Sequence, residues 1–456
     1  MEPFYWGNSV SSMQTEGGWN EGGKSMSVYD IREATDTLSD WKVANDNYNN
    51  FEEDLDLLKG FGCTMYRFQI SWSRVVVDGD GEFNEEGLAY YDRFIDALLE
   101  RGIEPMVCLY HFDMPLHLAQ EYNGFMSKHV KDAFIRYGKA MVDRYAGKVK
   151  YWLTFNEQNI FQFSQGFTIG GYMKGDQTLE ELYRMAHNVM VCHAEVSNYI
   201  HETTDCKVGG MVAYVGAYPA TCDPKDIKAA REVDEFLNYH VLDAFAEGRY
   251  SEQVLRYAKN HGFDLDIQDG EMEAIARQKS DYLAFSYYRT STVNASKIPA
   301  STAPNLYMEY GEQDNPYIGT SDFGWQIDAL GFRDALNKMY QRYRIPVFPI
   351  ENGIGMRETW DGVNEIQDDY RIAYHHDHIK AMFDAMDKDG VKCLGYLGWG
   401  LIDILSSHAD MEKRYGVVYV NRGNHDLRDM KRVPKKSFAW MREVFTTNGQ
   451  AIRDEE

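Results

Sequence analysis

Eight short and mostly apolar runs recur along this 456-residue chain, and helical patterns fill the intervals between them. The runs cover residues 4–6, 64–70, 105–110, 151–156, 208–214, 282–287, 346–351 and 393–399. Apolar runs without polar alternation suit strands buried on both faces, as in a parallel sheet covered by helices. One intervening pattern sets Tyr48, Phe51, Leu55 and Leu58 on one helical face, with acidic residues opposite. Another starts at an Asn84 cap, carries Leu88, Tyr91, Ile95 and Leu98, and stops at Gly102. Eight strand–helix units predict an α/β fold, a single (β/α)8 TIM barrel over residues 1–456 with long βα loops. No linker rich in Pro, Gly or Ser divides the chain, and only residues 448–456 read as a loose polar end. A doubly wound sheet would want a glycine-rich phosphate turn after an early strand, and the sequence has none.

Composition narrows the classes of function. Hydrophobic residues at 44% are ample for a large core, and aromatics at 14% exceed what a core needs. Sugar rings often stack on such side chains. A net charge of −24 argues against nucleic acid and anionic membrane surfaces as partners. The six cysteines show no paired metal-ligand spacing. Cys63, Cys108 and Cys393 lie in or beside apolar runs, where a free thiol acts as a small hydrophobe. Reduced thiols, no basic-then-apolar leader at the N-terminus and no membrane-length apolar stretch lead to the expectation of a cytoplasmic protein.

In a barrel of this kind, functional side chains belong at the C-terminal ends of the strands. Glu157 ends Trp152-Leu153-Thr154-Phe155-Asn156-Glu157, and Glu351 ends Val347-Phe348-Pro349-Ile350-Glu351. A carboxylate at the end of a buried strand is costly unless it is paired or used. Arg67 lies in the second run, His111 follows the third, Tyr288 follows the sixth and Trp399 closes the eighth. Singly these have plain alternatives: a buried ion-pair partner, a satisfied core histidine, a barrel lid. Together they form a polar and aromatic ring around two carboxylates, as glycosidic-bond chemistry requires.

With these residues in order, the chain resembles the family 1 glycoside hydrolases over nearly its whole length. The motifs are Ser12-Met13-Gln14-Thr15-Glu16-Gly17-Gly18-Trp19, Tyr66-Arg67-Phe68-Gln69-Ile70-Ser71-Trp72-Ser73-Arg74 and Leu109-Tyr110-His111-Phe112-Asp113. Thr154-Phe155-Asn156-Glu157 is similar to the acid/base motif, and Ile350-Glu351-Asn352-Gly353 to the nucleophile motif. The resemblance implies a retaining double displacement, with Glu351 as nucleophile, Glu157 as acid/base and carboxyl groups roughly 5–5.5 Å apart. It also implies that Arg67 and Tyr288 stand close to Glu351 and keep it ionised. Glu157, in drier surroundings and repelled by Glu351, would hold its proton. Gln14, His111, Asn156 and Trp399 match family positions that hold the sugar.

The segment from Asp403 to Gly416 bears on the substrate. Relatives acting on plain sugars carry a Glu seven residues before the lysine, and here that residue is Ser406, followed by Lys413 and Tyr415. A hydroxyl, a cation and a phenol suit a phosphate dianion, which a carboxylate would repel. This set resembles the 6-phospho-β-glycosidase branch. So do Phe285-Ser286-Tyr287-Tyr288 and Phe323-Gly324-Trp325-Gln326-Ile327-Asp328, which puts Trp325 on the pocket rim as a substrate contact. Ser407 stands where galactosidases of the branch carry Trp, which favours a gluco-configured sugar. Phe112 and Gln158 depart from the Trp and Pro more common beside the catalytic motifs. The expected partner is thus a phosphorylated β-glucoside, such as cellobiose 6-phosphate or an aryl glucoside 6-phosphate, split into glucose 6-phosphate and an aglycone. The alternatives are a 6-phospho-β-galactosidase, an unphosphorylated β-glucosidase and a non-catalytic sugar-binding protein. No metal or organic cofactor is called for; the aglycone and a homo-oligomer are left open.

Overall fold

The computed structural model describes residues 3–453. Its centre is a closed parallel barrel of eight strands. They are β1 Tyr5–Ser9, β2 Met65–Gln69, β3 Glu104–Tyr110, β4 Tyr151–Phe155, β5 Lys207–Ala213, β6 Tyr282–Tyr287, β7 Val347–Asn352 and β8 Gly395–Trp399, and β1 pairs with both β2 and β8. Helices α1 Asn47–Phe61, α2 Glu85–Glu100, α3 Lys128–Tyr145, α4 Leu179–Thr203, α5 His240–Glu247, α6 Ala329–Tyr343, α7 Asp369–Asp387 and α8 Lys436–Thr446 follow the strands in turn. Each run expected from sequence is a strand of this barrel. The first is displaced most, because β1 extends through the polar Asn8 and Ser9. Their side chains accept hydrogen bonds from the Leu401 amide (2.8 Å) and Arg67 (3.2 Å), so polarity there marks the site and not the strand's end.

The pleat sorts side chains between two cores. Tyr5, Met65, Met106, Leu153, Met211, Ala284 and Phe348 fill the barrel interior. Their neighbours Tyr66, Phe68, Val107, Trp152, Leu283 and Phe285 face the surrounding helices. Continuing the inward period of two carries β2 from Met65 to Arg67 and β6 from Ala284 to Ser286. The polar site is therefore the layer directly above the apolar plug. A bulge in β7 finishes the alignment. Val347 and Pro349 pair with Leu283 and Phe285, and then Glu351, not Ile350, pairs with Ser286. Such a shift re-aims the side chains beyond it, and it accommodates Pro349, which lacks an N–H for the ladder.

Some local expectations are corrected. Asn84 stands at the N-cap of α2, but its side chain does not cap the helix. Its amide donates instead to the carbonyls of Gly22 (2.7 Å) and Arg74 (2.8 Å). Gly102 does terminate α2, with φ +69° and its N–H bonded to Leu99 O at 2.9 Å. Within loop 298–320, residues Tyr307–Gly311 form a short helix and Glu312–Gln313 pair antiparallel to Val293 and Thr292. The C-terminal end is not loose over its described part. Asn448 accepts from Trp6 Nε1 at 2.8 Å, and Gln450–Arg453 form a helical turn with Ile452 buried. The polar character of 448–456 hid that one apolar anchor, while residues 454–456 and the first two residues lie outside the described residues. No helix among the described residues is long and apolar enough to cross a membrane.

If the end helix is part of the fold, Ile452→Ala should destabilise by about 2–5 kcal/mol, the usual range for a buried Ile truncation. Thermal melting should show a lower midpoint with KM unchanged. An unmoved midpoint would mean the tail contributes nothing.

Candidate active site

Arg67 is fully buried at the centre of the site. Its Nη1 donates to Glu351 Oε1 at 2.6 Å and to Ser9 Oγ at 3.2 Å, and its Nη2 donates to Asn156 Oδ1 at 2.6 Å. The other oxygen of Glu351 accepts from Tyr288 OH at 2.9 Å. Burial raises the Glu351 carboxyl above its usual range, and the Arg67 charge and the Tyr288 and Arg67 hydrogen bonds pull it back.

Glu157 follows β4 with a left-handed backbone, φ +39°. Phe112, just after β3, has φ +75°. Non-glycine residues in this region store strain, and such strain clusters where side chains must be aimed. No cation among the described residues is bonded to Glu157. Its polar neighbour is Ser286, whose hydroxyl donates to Oε1. Burial, then repulsion from Glu351, lifts its carboxyl to about 8, against the opposing pull of Ser286 and Arg67. The two carboxylates thus differ in kind. One is held by a cation and a phenol; the other takes up a proton near neutrality.

Other site residues present unused polar atoms. Asn156 Nδ2 and His111 Nδ1 are buried without a hydrogen-bond partner among the described residues. Burial, with the nearby Arg67 charge, holds the His111 imidazole neutral, well below its usual titration range. Trp399 packs beside it, ring centroids 5.7 Å apart. Gln14 is tied to protein, donating to Leu405 O at 2.8 Å and accepting from Ser11 Oγ at 2.7 Å, so one amide hydrogen remains to it.

The wall after β8 carries Ser406, Lys413 and Tyr415, all buried. Ser406 Oγ accepts from the amides of Asp410 (3.0 Å) and His408 (3.4 Å), which leaves its own hydrogen to donate. Lys413 Nζ lies 3.7 Å above the Trp325 ring, 4.9 Å from that of Phe323 and 5.5 Å from that of Tyr415. Trp325, expected from sequence on the pocket rim, is a platform for the lysine. No carboxylate among the described residues bonds Lys413, and burial lowers its ammonium to about 8 against the opposing charge of Asp410. Gly355 makes room for it, since a Cβ there would sit 2.6 Å from Lys413 Cε. Among the described residues no cluster of His, Cys, Asp or Glu could hold a metal ion.

Comparison with known proteins bears directly on this arrangement. The family model described as glycosyl hydrolase family 1 matches residues 1–450. The chain belongs to glycosyl hydrolase family 1. Among curated family 1 relatives, an aryl-phospho-β-D-glucosidase of Bacillus subtilis, BglA, is 38% identical over 98% of both chains. A phospho-cellobiase of Klebsiella oxytoca is 34% identical over 99% of both chains, and the Escherichia coli 6-phospho-β-glucosidase AscB 35% identical over 99% of both. Among solved structures, a family 1 β-glucosidase from Thermotoga maritima superposes with a TM-score of 0.86 at 29% identity, covering 98% of each chain.

Within this family 1 site, sequence reasoning missed the part of Ser286. The Phe285-Ser286-Tyr287-Tyr288 motif carries it, yet nothing in the sequence joins it to Glu157, 129 residues away. Ser286 stabilises the ionised form of Glu157, so Ser286→Ala should move the titration of that carboxyl upward from about 8. Infrared titration of the protonated carboxyl band, with Glu157→Gln as the blank, reads this directly. A downward shift or none would contradict the geometry.

Proposed function

We infer that this chain is a retaining 6-phospho-β-glucosidase. The observation that carries the reading is Lys413, a buried cation that no carboxylate among the described residues bonds, on the wall that also presents the Ser406 hydroxyl and the Tyr415 phenol. Leaving a charge buried and unpaired is costly, so a wall built this way fits an anionic ligand group better than a plain hydroxyl. Relatives named as phospho-β-glucosidases support the same substrate class. Ser407, in place of a bulky Trp, favours glucose over galactose configuration.

The reaction follows from the two carboxylates. Glu351, ionised beside Arg67, attacks the anomeric carbon as the bond to the leaving oxygen breaks. Glu157 gives its proton to that oxygen, and the aglycone departs. Glu157 then takes a proton from water, whose oxygen bonds to the anomeric carbon and frees Glu351. The orphaned Asn156 Nδ2 and His111 Nδ1, the spare Gln14 hydrogen and the Trp399 ring supply contacts for the sugar's hydroxyls and face. Trp325 completes the substrate pocket beneath Lys413. The products are glucose 6-phosphate and an alcohol or phenol. We place the enzyme in the cytoplasm, as one catalytic unit over residues 1–456.

Nitrophenyl β-glucoside 6-phosphate should be cleaved with a far higher kcat/KM than the plain glucoside. Equal values would sink the phosphate assignment. Glu157→Gln should cost about 10²–10⁴-fold in kcat on substrates with poor leaving groups.

The pH dependence separates the two roles. Glu157 must be protonated and Lys413 charged, and both conditions are lost as pH rises through about 8. On the phosphorylated substrate, kcat/KM should therefore fall at high pH with the loss of two protons; on the plain one, with the loss of one. Lys413→Met should reduce the first profile to a single ionisation, and an unchanged slope would remove Lys413 from phosphate binding.

A further inference from the structure

Behind the wall that presents Lys413 and Tyr415 lies a chain of six buried charges: Asp368, Arg371, Glu358, Lys435, Asp403 and Arg414, alternating in sign. Arg371 Nε pairs with Asp368 at 2.9 Å, and its Nη2 pairs with Glu358 at 2.7 Å. Glu358 also pairs with Lys435, which reaches Asp403 at 3.2 Å, and Asp403 meets Arg414 at 3.3 Å. No side chain of the six is more than 4% exposed. Such a chain is a poor source of stability, because desolvating ions offsets most of what pairing them returns.

Its geometric effect is more specific. Arg371 Nη1 donates to two backbone carbonyls, Ile354 O at 2.8 Å and Tyr415 O at 2.7 Å, and Nη2 reaches Arg414 O at 3.4 Å. Ile354 follows closely on Glu351, while Tyr415 belongs to the segment that carries Lys413, its ring 6.3 Å from that of Tyr288, the residue bonded to Glu351. Asp403 accepts from the Gly416 amide at 2.8 Å, holding the far end of the same segment. The short antiparallel pairing of Met356 with Arg414 and Arg357 with Lys413 joins these two segments as well. One planar guanidinium, locked by two carboxylates, therefore bridges the loop after Glu351 and the strand that carries the cation.

We propose that Arg371, with Asp403 behind it, is a positioning residue that sets the span between Glu351 and the Lys413–Tyr415 wall. It thereby selects a sugar with a phosphate at its far end without touching that sugar. This rests on reading the pocket as a phosphosugar site. The span must fall within the limited range of distances that the exocyclic C5–C6 and C6–O6 rotamers allow between an anomeric carbon and a 6-phosphate, and contacts behind the pocket wall set such spans.

Arg371→Lys keeps a positive charge but loses the planar fork. KM for nitrophenyl β-glucoside 6-phosphate should rise about 10–100-fold, the usual consequence of an ångström-scale misplacement. Cleavage of the plain glucoside and the rate of Glu351 labelling by a 2-fluoroglucoside should stay at wild-type values. Asp403→Asn, which keeps its shape and an acceptor oxygen, should show the same split in milder form. Parallel loss on both substrates, or no loss, would overturn the proposal. Failure of both variants to fold would overturn it too, since the chain would then be a structural element. A wild-type enzyme indifferent to the phosphate would instead remove the phosphosugar reading on which it rests.

Discussion

The buried ion pair between Arg67 and Glu351, 2.6 Å long, is the constraint around which the site is arranged. A guanidinium with no exposed surface is cut off from bulk water, so each donor that protein or ligand leaves unmet is costly. Glu351, Asn156 and Ser9, with the Met211 sulfur at 3.5 Å, meet those of the two terminal nitrogens, while Nε has no partner among the described residues. The three oxygen acceptors come from β7, from the end of β4 and from β1, so the pair works only if the strands close at one register. The barrel and the site are thus specified together. The β7 bulge is part of the same constraint, because without it Ile350 would occupy the position of Glu351 opposite Ser286.

From that pair the electrostatics of the pocket divide into unlike regions. Around Glu351, a cation and a phenol favour the ionised state. Around Glu157, burial and the neighbouring negative charge favour the proton, and only the Ser286 hydroxyl and the more distant Arg67 oppose them. At Lys413 the logic is reversed, for it rests on aromatic faces that stabilise a cation weakly, and the Asp410 charge offsets its burial only in part. A neutral proton donor and a cation without a bonded carboxylate among the described residues suit a substrate that needs both.

Much of this was legible in the sequence. The barrel followed from eight apolar runs, because strands buried on both faces leave little ambiguity. Glu157, Glu351, Arg67 and Tyr288 were legible as candidates because each lies in or just after an apolar strand inside a distinctive motif. Ser286, Arg371 and the aromatic platform under Lys413 were not. Their roles arise from pairings between residues far apart in the chain, and a serine in an apolar strand or an arginine in an amphipathic helix carries no local mark. Local polarity also misled at the edges of the fold. The first apolar run ends at Trp6, short of the polar Asn8 and Ser9, Asn84 looked like a helix cap, and the C-terminal residues like a loose tail. In each case a tertiary hydrogen bond or one buried side chain decided otherwise.

The most direct measurement is a crystal structure of the enzyme trapped with a 2-deoxy-2-fluoro-β-glucosyl 6-phosphate. A covalent bond from Glu351 to the anomeric carbon, with the phosphate seated among Ser406, Lys413 and Tyr415, is the expected result. An adduct on another residue, or a phosphate turned to solvent while Lys413 stays on Trp325 alone, would contradict it.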